Sequence, residues 1–321
     1  MEMPVLLGYL KNSPGKFLSG EAIASLLGVS RAAVWKEIEA LRRLGYQVEA
    51  APRKGYRLLN RPDRLYPWEI ASGLKNIRLG RSIFYYDRID STNNQAKRLP
   101  PVQAQEGALI VAEEQSAGRG RLGREWSSAK GAGIWMSLLL QPQLPVAELP
   151  KLTIMTAAAV RRAVQDETGL SPLIKWPNDL VLDGRKICGI LAEISGEIDS
   201  LSLVILGIGI NVNQQTGDFP LQLRESAGSL RLAKGEPVDR LKLLLAVLHR
   251  LEEAYLRVCA EGFSEVLKDC RSFSATIGRT VTVRAGTQNL TGYAETIGED
   301  GGLKLLLPSG ETATVYAGET I

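Results

Sequence analysis

The segment from Ser116 to Trp126, SAGRGRLGREW, has the composition of a site for an anion. Residues 118–124 contain three glycines and three arginines. Glycine lets the backbone approach a ligand closely, and guanidinium groups pair with carboxylate and phosphate oxygens through two parallel hydrogen bonds. The segment lacks the GK[ST] ending of a P-loop and does not open a helix as a dinucleotide fingerprint does. It therefore predicts an anion-binding loop, with a plain surface turn or an arginine-rich RNA-binding loop as alternatives.

Two charged side chains are predicted to converge in the segment KWPNDLVLDGRKICG, residues 175–189. Its Asp-Gly pair favours a two-residue hairpin turn, which pairs Val181 with Lys186. Asp179 then lies on the same face as Lys186, as a diagonal neighbour about 7–8 Å away. Lys186 would suit a carboxylate or an α-phosphate, whereas Asp179 could bind a divalent cation or accept a proton. An exposed cross-strand pair is the alternative.

Three shorter polar segments add candidate ligand contacts. Ser91-Thr92-Asn93 begins a predicted helix, where capping alone accounts for the residue types, although their hydroxyls and amides could bind a neutral polar ligand. GIGINVN, residues 207–213, is a predicted strand whose glycines indicate close approach of a ligand or a plain bulge. Pro177 interrupts a strand pattern, so we expect a bend that displays Lys175 and Asn178 rather than burying them.

The composition excludes several classes of protein. Of the 321 residues, 45% are hydrophobic and 23% are charged, which is ordinary for globular proteins and predicts two or three domains. No apolar run approaches the ~20 residues of a membrane span, and the N-terminus lacks the features of a signal peptide. Three cysteines without metal or redox spacing predict no disulfide framework, and therefore a cytoplasmic protein. His249, the only histidine, falls in a helical pattern, which argues against histidine-based nucleophilic catalysis.

The N-terminal segment carries the whole excess of positive charge. Residues 1–60 contain nine Lys or Arg, five Glu and no Asp, which equals the net charge of +4 of the chain. Two short helical patterns, with Ile23, Ala24, Leu26 and Leu27 on one face of the first, are joined by LGVS and followed by an alternating ribbon. This order predicts a winged helix-turn-helix. A small helical domain with a solvated basic face is the alternative.

The winged helix-turn-helix would bind DNA with its second helix and its wing. Base edges would be read near the start of that helix, and phosphates would be contacted by basic residues of the wing. The predicted DNA-binding residues are Ser30, Arg31, Ala32, Trp35, Lys36, Arg53 and Lys54, with Arg57 also in the wing.

The remainder of the chain predicts two further domains after a polar linker at 61–66. In residues 67–275, strand and helix patterns alternate, with long helices at about 148–168 and 239–260. They predict an α+β domain with a mixed, largely antiparallel sheet and helices on one face. Residues 276–321 contain short alternating strands with Gly, Asn and Asp turns, which predict a small β-barrel.

Five motifs together resemble one family along the whole chain. STNNQAK, GRGRLGREW, KWPNDL, KICGILAE and GIGINVN occur in the order found in the biotin–protein ligases. The two flanking domains match the bifunctional class, which is also the biotin operon repressor. The resemblance implies a class II synthetase-like central domain, an SH3-like C-terminal barrel, and ATP and biotin as substrates with Mg²⁺. It also implies three partners: the biotin carboxyl carrier protein of acetyl-CoA carboxylase, operator DNA of biotin genes, and a second copy of the chain when the adenylate is bound, with no membrane association.

The resemblance also assigns residues to the reaction. Those implied for biotin are Ser91, Thr92, Asn93, Gln115, Arg119, Gly120, Arg121, Lys186, Gly189 and Leu191. Those implied for the nucleotide are Gly118, Arg119, Arg121, Trp126 (stacking on adenine), Lys175, Asn178 and Asn211. The implied catalytic residues are Lys186, Arg119 and Arg121, to which we add Asp179 as base or orienting group, and as a candidate Mg²⁺ ligand beside the substrate phosphates. Tyr316 stands where some members place an ATP-contacting arginine, so no nucleotide role is assigned to it.

Two other functions stay open on the sequence. A lipoate–protein ligase would share the fold and the adenylate chemistry, although such enzymes usually lack the N-terminal domain and this Gly-Arg loop. A ligase-dead repressor that senses biotin would also fit, but Lys186 and the intact loop argue against it.

Overall fold

The computed structural model describes residues 3–75, 77–195, 203–285 and 288–320. The chain divides into two compact units, Met1–Trp68 and Glu69–Ile321. Residues 201 and 202, at the start of a predicted strand, and the chain ends 1, 2 and 321 of the predicted outer domains lie outside the described residues. The finer boundaries 1–60, 61–66, 67–275 and 276–321 stay predictions.

The first unit is a winged helix-turn-helix, as the sequence predicts. It contains three helices and one hairpin: α1 (Val5–Lys11), α2 (Gly20–Leu27), α3 (Arg31–Arg43), β1 (Gln47–Ala51) and β2 (Gly55–Asn60). Ser19 caps α2 by accepting a hydrogen bond from the amide of Ala22 at 3.0 Å, and Ser30 caps α3 in the same way. Each serine directly precedes a helical pattern, so both caps could be expected from the sequence, whereas α1 was not predicted.

Apolar side chains of all three helices form the core of this unit. The buried residues include Leu6, Leu7 and Leu10 of α1, Ile23 of α2, and Val34, Ile38 and Leu41 of α3. The prediction that Leu26 joins the apolar face of α2 is wrong, because 56% of that residue is exposed. α2 ends one residue later, and α1 and α3 fill the core without it.

A seven-stranded sheet forms the centre of the second unit. Its strands are β3 (Ser82–Tyr86), β4 (Ala108–Ala112), β5 (Gly133–Leu140), β6 (Leu173–Lys175), β7 (Asp179–Leu182), β8 (Arg185–Ser195) and β9 (Leu203–Asn211). The order is β3-β4-β5-β9-β8-β7-β6, with β3 and β4 parallel and the other pairs antiparallel. The sheet is therefore mixed and largely antiparallel, as predicted.

The helices of this unit are α4 (Pro67–Gly73), α5 (Thr92–Arg98), α6 (Leu152–Thr168), α7 (Leu230–Lys234), α8 (Arg240–Glu261) and α9 (Ser264–Ser272). The long helices α6 and α8 pack together over one face of the sheet, where Leu109 and Leu248 both border Gly80. The short helix α5 packs on the opposite face, in a cluster with Ile110, Leu139 and Ile205. Because α5 spans only seven residues, part of this second face remains open to a ligand.

A separate antiparallel sheet follows in the C-terminal part. It contains β10 (Thr280–Ala285), β11 (Gln288–Ile297), β12 (Leu303–Leu306), β13 (Thr312–Val315) and β14 (Glu319–Thr320), in the order β13-β12-β11-β10-β14. The indole N–H of Trp176 donates to the carbonyl of Gly301 at 3.1 Å and so joins this sheet to the KWPND bend. Closure of the sheet as an SH3-like barrel stays a prediction. Across the described ranges, no helix is both long and apolar enough to cross a membrane.

Candidate active site

A cavity of about 370 Å³ lies over the open part of the sheet face that carries α5. Three glycines of β8 and β9 form part of its floor: Gly189, its direct cross-strand neighbour Gly209, and Gly207. A Cβ at 207 would lie 2.3 Å from Asn93 Oδ1, and one at 209 would lie 2.5 Å from the indole nitrogen of Trp126. Other groups do approach the glycines of GIGINVN closely, but they are side chains of this chain rather than the ligand or backbone that the pattern predicted.

The cavity brings together nearly all of the residues assigned to it from the sequence. Every residue implied for biotin, nucleotide or catalysis lines it except Gly118. Gly118 instead packs under the loop, where it accepts a hydrogen bond from the amide of Trp126 at 2.8 Å and where a Cβ would lie 2.4 Å from the carbonyl oxygen of Trp126. Its role in the structure is to let the loop turn back on itself.

The arginines of the loop 118–124 are anchored on both sides of the cavity. Arg119 donates to Asn94 Oδ1 at 2.9 Å and lies 3.7 Å from a carboxylate oxygen of Glu193. Arg121 donates to Asn178 Oδ1 at 2.8 Å and to the carbonyl of Gly318, in the C-terminal part, at 3.3 Å. Arg119 thus borders the cavity beside α5, and Arg121 borders it beside Gly318, near the end of the chain.

Asn178 departs from its prediction. The bend at Pro177 was expected to display this side chain, but it is buried. Its amide donates to the carbonyl of Ile190 at 2.9 Å, while its oxygen accepts from Arg121. Because neighbouring strand β8 and the loop both supply partners, the polar side chain is satisfied inside the protein rather than by water.

The hairpin β7–β8 places Lys186 and Asp179 in contact. Val181 pairs with Lys186, as the turn predicts, and a bulge follows so that Asp179 pairs with Gly189. The ammonium of Lys186 lies 2.7 Å from Asp179 Oδ2, so the two side chains form an ion pair. Asp179 Oδ1 is buried and has no hydrogen-bond partner among the residues that the structure describes.

The backbone of Lys186 is fixed by the segment that follows β9. Its amide donates to the carbonyl of Ser226 at 2.8 Å, and its carbonyl accepts from the amide of Gly228 at 2.9 Å. Asn211, which is buried, donates to the carbonyl of Gly228 at 3.0 Å and accepts from Gln214 at 3.1 Å. Asn211 therefore lines the cavity and also positions the segment that holds Lys186.

Trp126 lies flat on the glycine floor. A Cβ at Gly189 would lie 2.8 Å from its ring, and its edge meets Trp135 with ring centroids 6.4 Å apart. The ammonium of Lys186 lies 5.3 Å from the ring centroid, within cation–π range. The ring is thus a wall beside Gly189, where the resemblance puts the tail of biotin, and stacking on adenine stays a prediction.

The polar end of the cavity is formed by Ser91, Thr92 and Gln115. Ser91 caps α5, and both the amide and the hydroxyl of Thr92 lie within hydrogen-bond distance of Gln115 Oε1, at 2.8 and 3.1 Å. Gln115 also donates to Ser128 at 2.8 Å. Ser91 therefore both caps the helix, which was the alternative to a binding role, and lines the cavity.

Two residues near this end were not identified from the sequence. Ser137 of β5 is fully buried beside Thr92 and Asn93, and Glu193 of β8 accepts from Asn93 at 2.8 Å. Burial raises the pKa of Glu193, but hydrogen bonds from Lys97 and Asn93 and the charges of Lys97 and Arg119 lower it below its ordinary value. No local motif marks either residue, because each partner comes from a distant part of the chain.

The segment after β9 forms a further wall of the cavity. Phe219, Leu223, Ser226 and Ala227 line this side, and Gly318 reaches it from the C-terminal part.

The first unit carries a separate candidate interface for DNA. Ser30, Arg31, Ala32 and Lys36 are exposed, as are Arg53 and Lys54 of the wing, and Trp35 is 55% exposed. Arg57 differs, because it donates to Glu49 at 3.0 Å and stacks on the ring of Phe17. It therefore serves the wing itself.

The side chains of the cavity indicate how Mg²⁺ would be bound. Within the described residues, no group of three or more His, Cys, Asp and Glu side chains is arranged to hold a metal ion. The unpartnered oxygen of Asp179 fits as one ligand of an ion that arrives with substrate phosphates.

Comparisons with known proteins agree with this architecture. Three family models match: HTH domain at 5–57, Biotin/lipoate A/B protein ligase family at 85–211 and Biotin protein ligase C terminal domain at 276–320. The bifunctional ligase/repressor BirA of Bacillus subtilis (strain 168) is 42% identical over 306 residues, which cover 95% of this chain and 94% of the relative. That of Escherichia coli (strain K12) is 31% identical, with 94% and 91% covered.

A solved structure gives the same result for the catalytic part. Biotin protein ligase from Aquifex aeolicus in complex with biotin and ATP aligns with a TM-score of 0.67 and 30% identity, covering 75% of this chain and 98% of that one. With relatives above 30% identity along almost its whole length, the chain belongs to the biotin protein ligase family.

Proposed function

We propose that the protein is an ATP-dependent biotin–protein ligase that also represses transcription of biotin genes. The observation that carries the proposal is a single cavity in which Lys186, paired with Asp179, faces the same space as Arg119 and Arg121 of the Gly-Arg loop. A polar end at Ser91 and Thr92 and an apolar middle at Trp126 suit a ligand with a polar ring and a hydrocarbon tail.

In the first half-reaction, a carboxylate oxygen of biotin attacks the α-phosphorus of ATP. An oxygen–phosphorus bond forms, the bond to the β-phosphate breaks, and pyrophosphate leaves. Both reactants are anions, so catalysis consists mainly of positioning and charge neutralisation. Lys186, Arg119 and Arg121 supply positive charge for this step, and no covalent enzyme intermediate is needed.

Mg²⁺ is part of this proposal through the substrate. Asp179 Oδ1 would be its protein ligand, and the ion would neutralise phosphate charge when bound. The neighbouring Lys186 prevents Asp179 from adding uncompensated negative charge to a site for anions.

In the second half-reaction, a lysine amine of the biotin carboxyl carrier protein attacks the acyl carbon of the adenylate. A carbon–nitrogen bond forms and AMP leaves with the electrons of the broken acyl–oxygen bond. The amine has an ordinary pKa of about 10.4, so it must lose a proton first. Asp179 is a carboxylate of the cavity wall beside Lys186, and we propose it as base or orienting group.

The repressor function uses the first unit. Exposed Arg31, Trp35 and Lys36 at the start of α3 suit the major groove of an operator, and the wing suits phosphates. We propose that adenylate binding favours a homodimer, so that two winged helices read a palindromic site. The adenylate would then be both intermediate and corepressor, in the cytoplasm where the sequence predicts this chain.

Transfer of labelled biotin to a biotin carboxyl carrier domain tests the enzyme function directly. We expect labelled carrier only when ATP, biotin and the intact acceptor lysine are present. Labelling with lipoate but not biotin would indicate a lipoate–protein ligase. Biotin binding without transfer would indicate a repressor with a dead ligase centre.

A further inference from the structure

Four polar residues from α5, β5 and β8 form a continuous chain behind the polar end of the cavity. Asn93 lies over Gly207, in the space that a side chain there would occupy. Its amide nitrogen lies 2.8 Å from Glu193 Oε2, and its oxygen lies 2.6 Å from Ser137 Oγ. Ser137 Oγ is in turn 2.8 Å from the hydroxyl of Thr92.

The carboxylate at one end fixes the direction of this chain. An ionised carboxylate only accepts hydrogen bonds, so Asn93 must turn its NH₂ group toward Glu193 and its oxygen toward Ser137. That amide oxygen can only accept, so it takes the single proton of Ser137. The contact between Ser137 and Thr92 is then a hydrogen bond only if Thr92 donates.

A second oxygen can also accept the proton of the Thr92 hydroxyl. Gln115 Oε1 lies 3.1 Å from the Thr92 hydroxyl, and Gln115 is fixed in this orientation because its NH₂ group donates to Ser128. Whichever oxygen takes the proton, the Thr92 hydroxyl has only lone pairs left for a ligand.

We propose that Glu193 and Ser137 are positioning residues that make Thr92 an obligate hydrogen-bond acceptor for a ligand N–H group. The inference rests on the proposed function, in which the resemblance already puts the ureido ring of biotin at Thr92, and it adds the two residues that set the direction of that hydrogen bond. Asn93 belongs to this relay, because its amide is engaged with Ser137 and Glu193. Glu193 also lies 3.7 Å from Arg119, so the test reads ligand preference rather than reaction rate.

The relay makes a prediction about ligand discrimination that a structural role alone does not make. Two oxazolidinone analogues of biotin replace one or the other ureido N–H by a ring oxygen of similar size. Opposite an obligate acceptor, the added oxygen meets lone pairs, so the intact protein should prefer biotin over at least one analogue by about 100-fold or more. Affinities measured by calorimetry on the full chain give this ratio.

Variants of the relay should reduce the ratio. In Glu193→Gln, the amide of Asn93 can reverse and Ser137 can donate to Thr92, so Gln115 Oε1 is the one oxygen of this group left to compete with a ligand for the Thr92 proton. In Ser137→Ala, the acceptor left for the Thr92 proton in this group is Gln115 Oε1, which already accepts a hydrogen bond from the Thr92 amide. We expect each variant to lower the preference for biotin at least about tenfold, the effect of one hydrogen bond to a buried group.

Thr156→Val is the matched control, because Thr156 is a buried hydroxyl of α6 that bonds only within its helix in the described contacts. It should keep the preference within about twofold, whatever its effect on stability. An undiminished preference in a folded Glu193→Gln protein would overturn the relay while leaving the ligase function intact. Absence of any biotin binding by the unmodified protein would instead refute the proposed function.

Discussion

At the scale of single residues, the proposed chemistry depends on one lysine and one carboxylate that the hairpin turn brings together. The Asp-Gly turn predicts that Lys186 and Asp179 share a face, and the ion pair at 2.7 Å agrees with it. Burial of Asn178 was not predictable, because its partners Arg121 and Ile190 come from other elements. Glu193 and Ser137 were missed for the same reason: their contacts with Asn93 cross 100 and 44 residues of chain.

The role of Asp179 in the second half-reaction leads to a test at this scale. Asp179→Asn keeps the size of the side chain but cannot take a proton from the incoming amine. We expect transfer from preformed adenylate to slow by about 100-fold, a common effect of losing a general base. Single-turnover transfer to the carrier domain measures this rate, and transfer at the normal rate would remove Asp179 from the mechanism.

At the scale of elements, helix caps and turns were predictable and long-range supports were not. The caps of α2 and α3, the strand order of the winged hairpin and the register at Lys186 all follow from local sequence. The bulge after Val181 and the segment at Ser226 that fixes Lys186 do not, because neither has a local signature. The start of α5 shows both kinds of residue. Its cap, Ser91, was identified from the sequence, whereas its supporting carboxylate, Asp90, was not.

Asp90 gives a pH-dependent prediction for the start of α5. Hydrogen bonds from Arg98, opposed by burial and aided by Asn94, lower the pKa of Asp90 to about 2. A lowered carboxylate pKa adds stability that is complete above the unfolded value and is lost as the pH falls toward the folded value. Since both side chains are partly exposed, Asp90→Asn should lose about 1 kcal/mol of unfolding free energy at pH 7.

Urea unfolding of both proteins at several pH values measures this loss. The difference between them should stay constant from pH 7 to about 5, fall to about half near pH 3 and vanish below pH 2. A difference that is the same at pH 3 and pH 7 would show that the charge of Asp90 is not its source.

At the scale of the whole molecule, charge and motif order predicted the architecture. The positive excess is confined to residues 1–60, and the winged helix-turn-helix lies there. The order of five motifs predicted the catalytic sheet. The contact of Gly318 with Arg121 was not predictable, because a backbone carbonyl about 200 residues away leaves no trace in side-chain patterns.

Coupling between the two functions is tested by operator binding. We expect biotin plus ATP to tighten binding of the full chain to promoter DNA of biotin genes by about tenfold or more, because adenylate-driven dimerisation joins two half-sites. Lys186→Met should bind the same DNA with a much smaller response to the two ligands, since it forms the adenylate about 100-fold or more slowly. Operator affinity that ignores biotin and ATP in the unmodified protein would separate the DNA-binding unit from the ligase.

The most direct test of the account is the exchange of labelled pyrophosphate into ATP, which reports adenylation alone. We predict exchange that requires biotin, falls by about 100-fold or more in Lys186→Met because its charge no longer faces the phosphate, and is unchanged in Lys130→Met, an exposed lysine paired with Asp87. Exchange that proceeds without biotin, or that survives the loss of Lys186, would contradict the assignment of this cavity as the adenylation site.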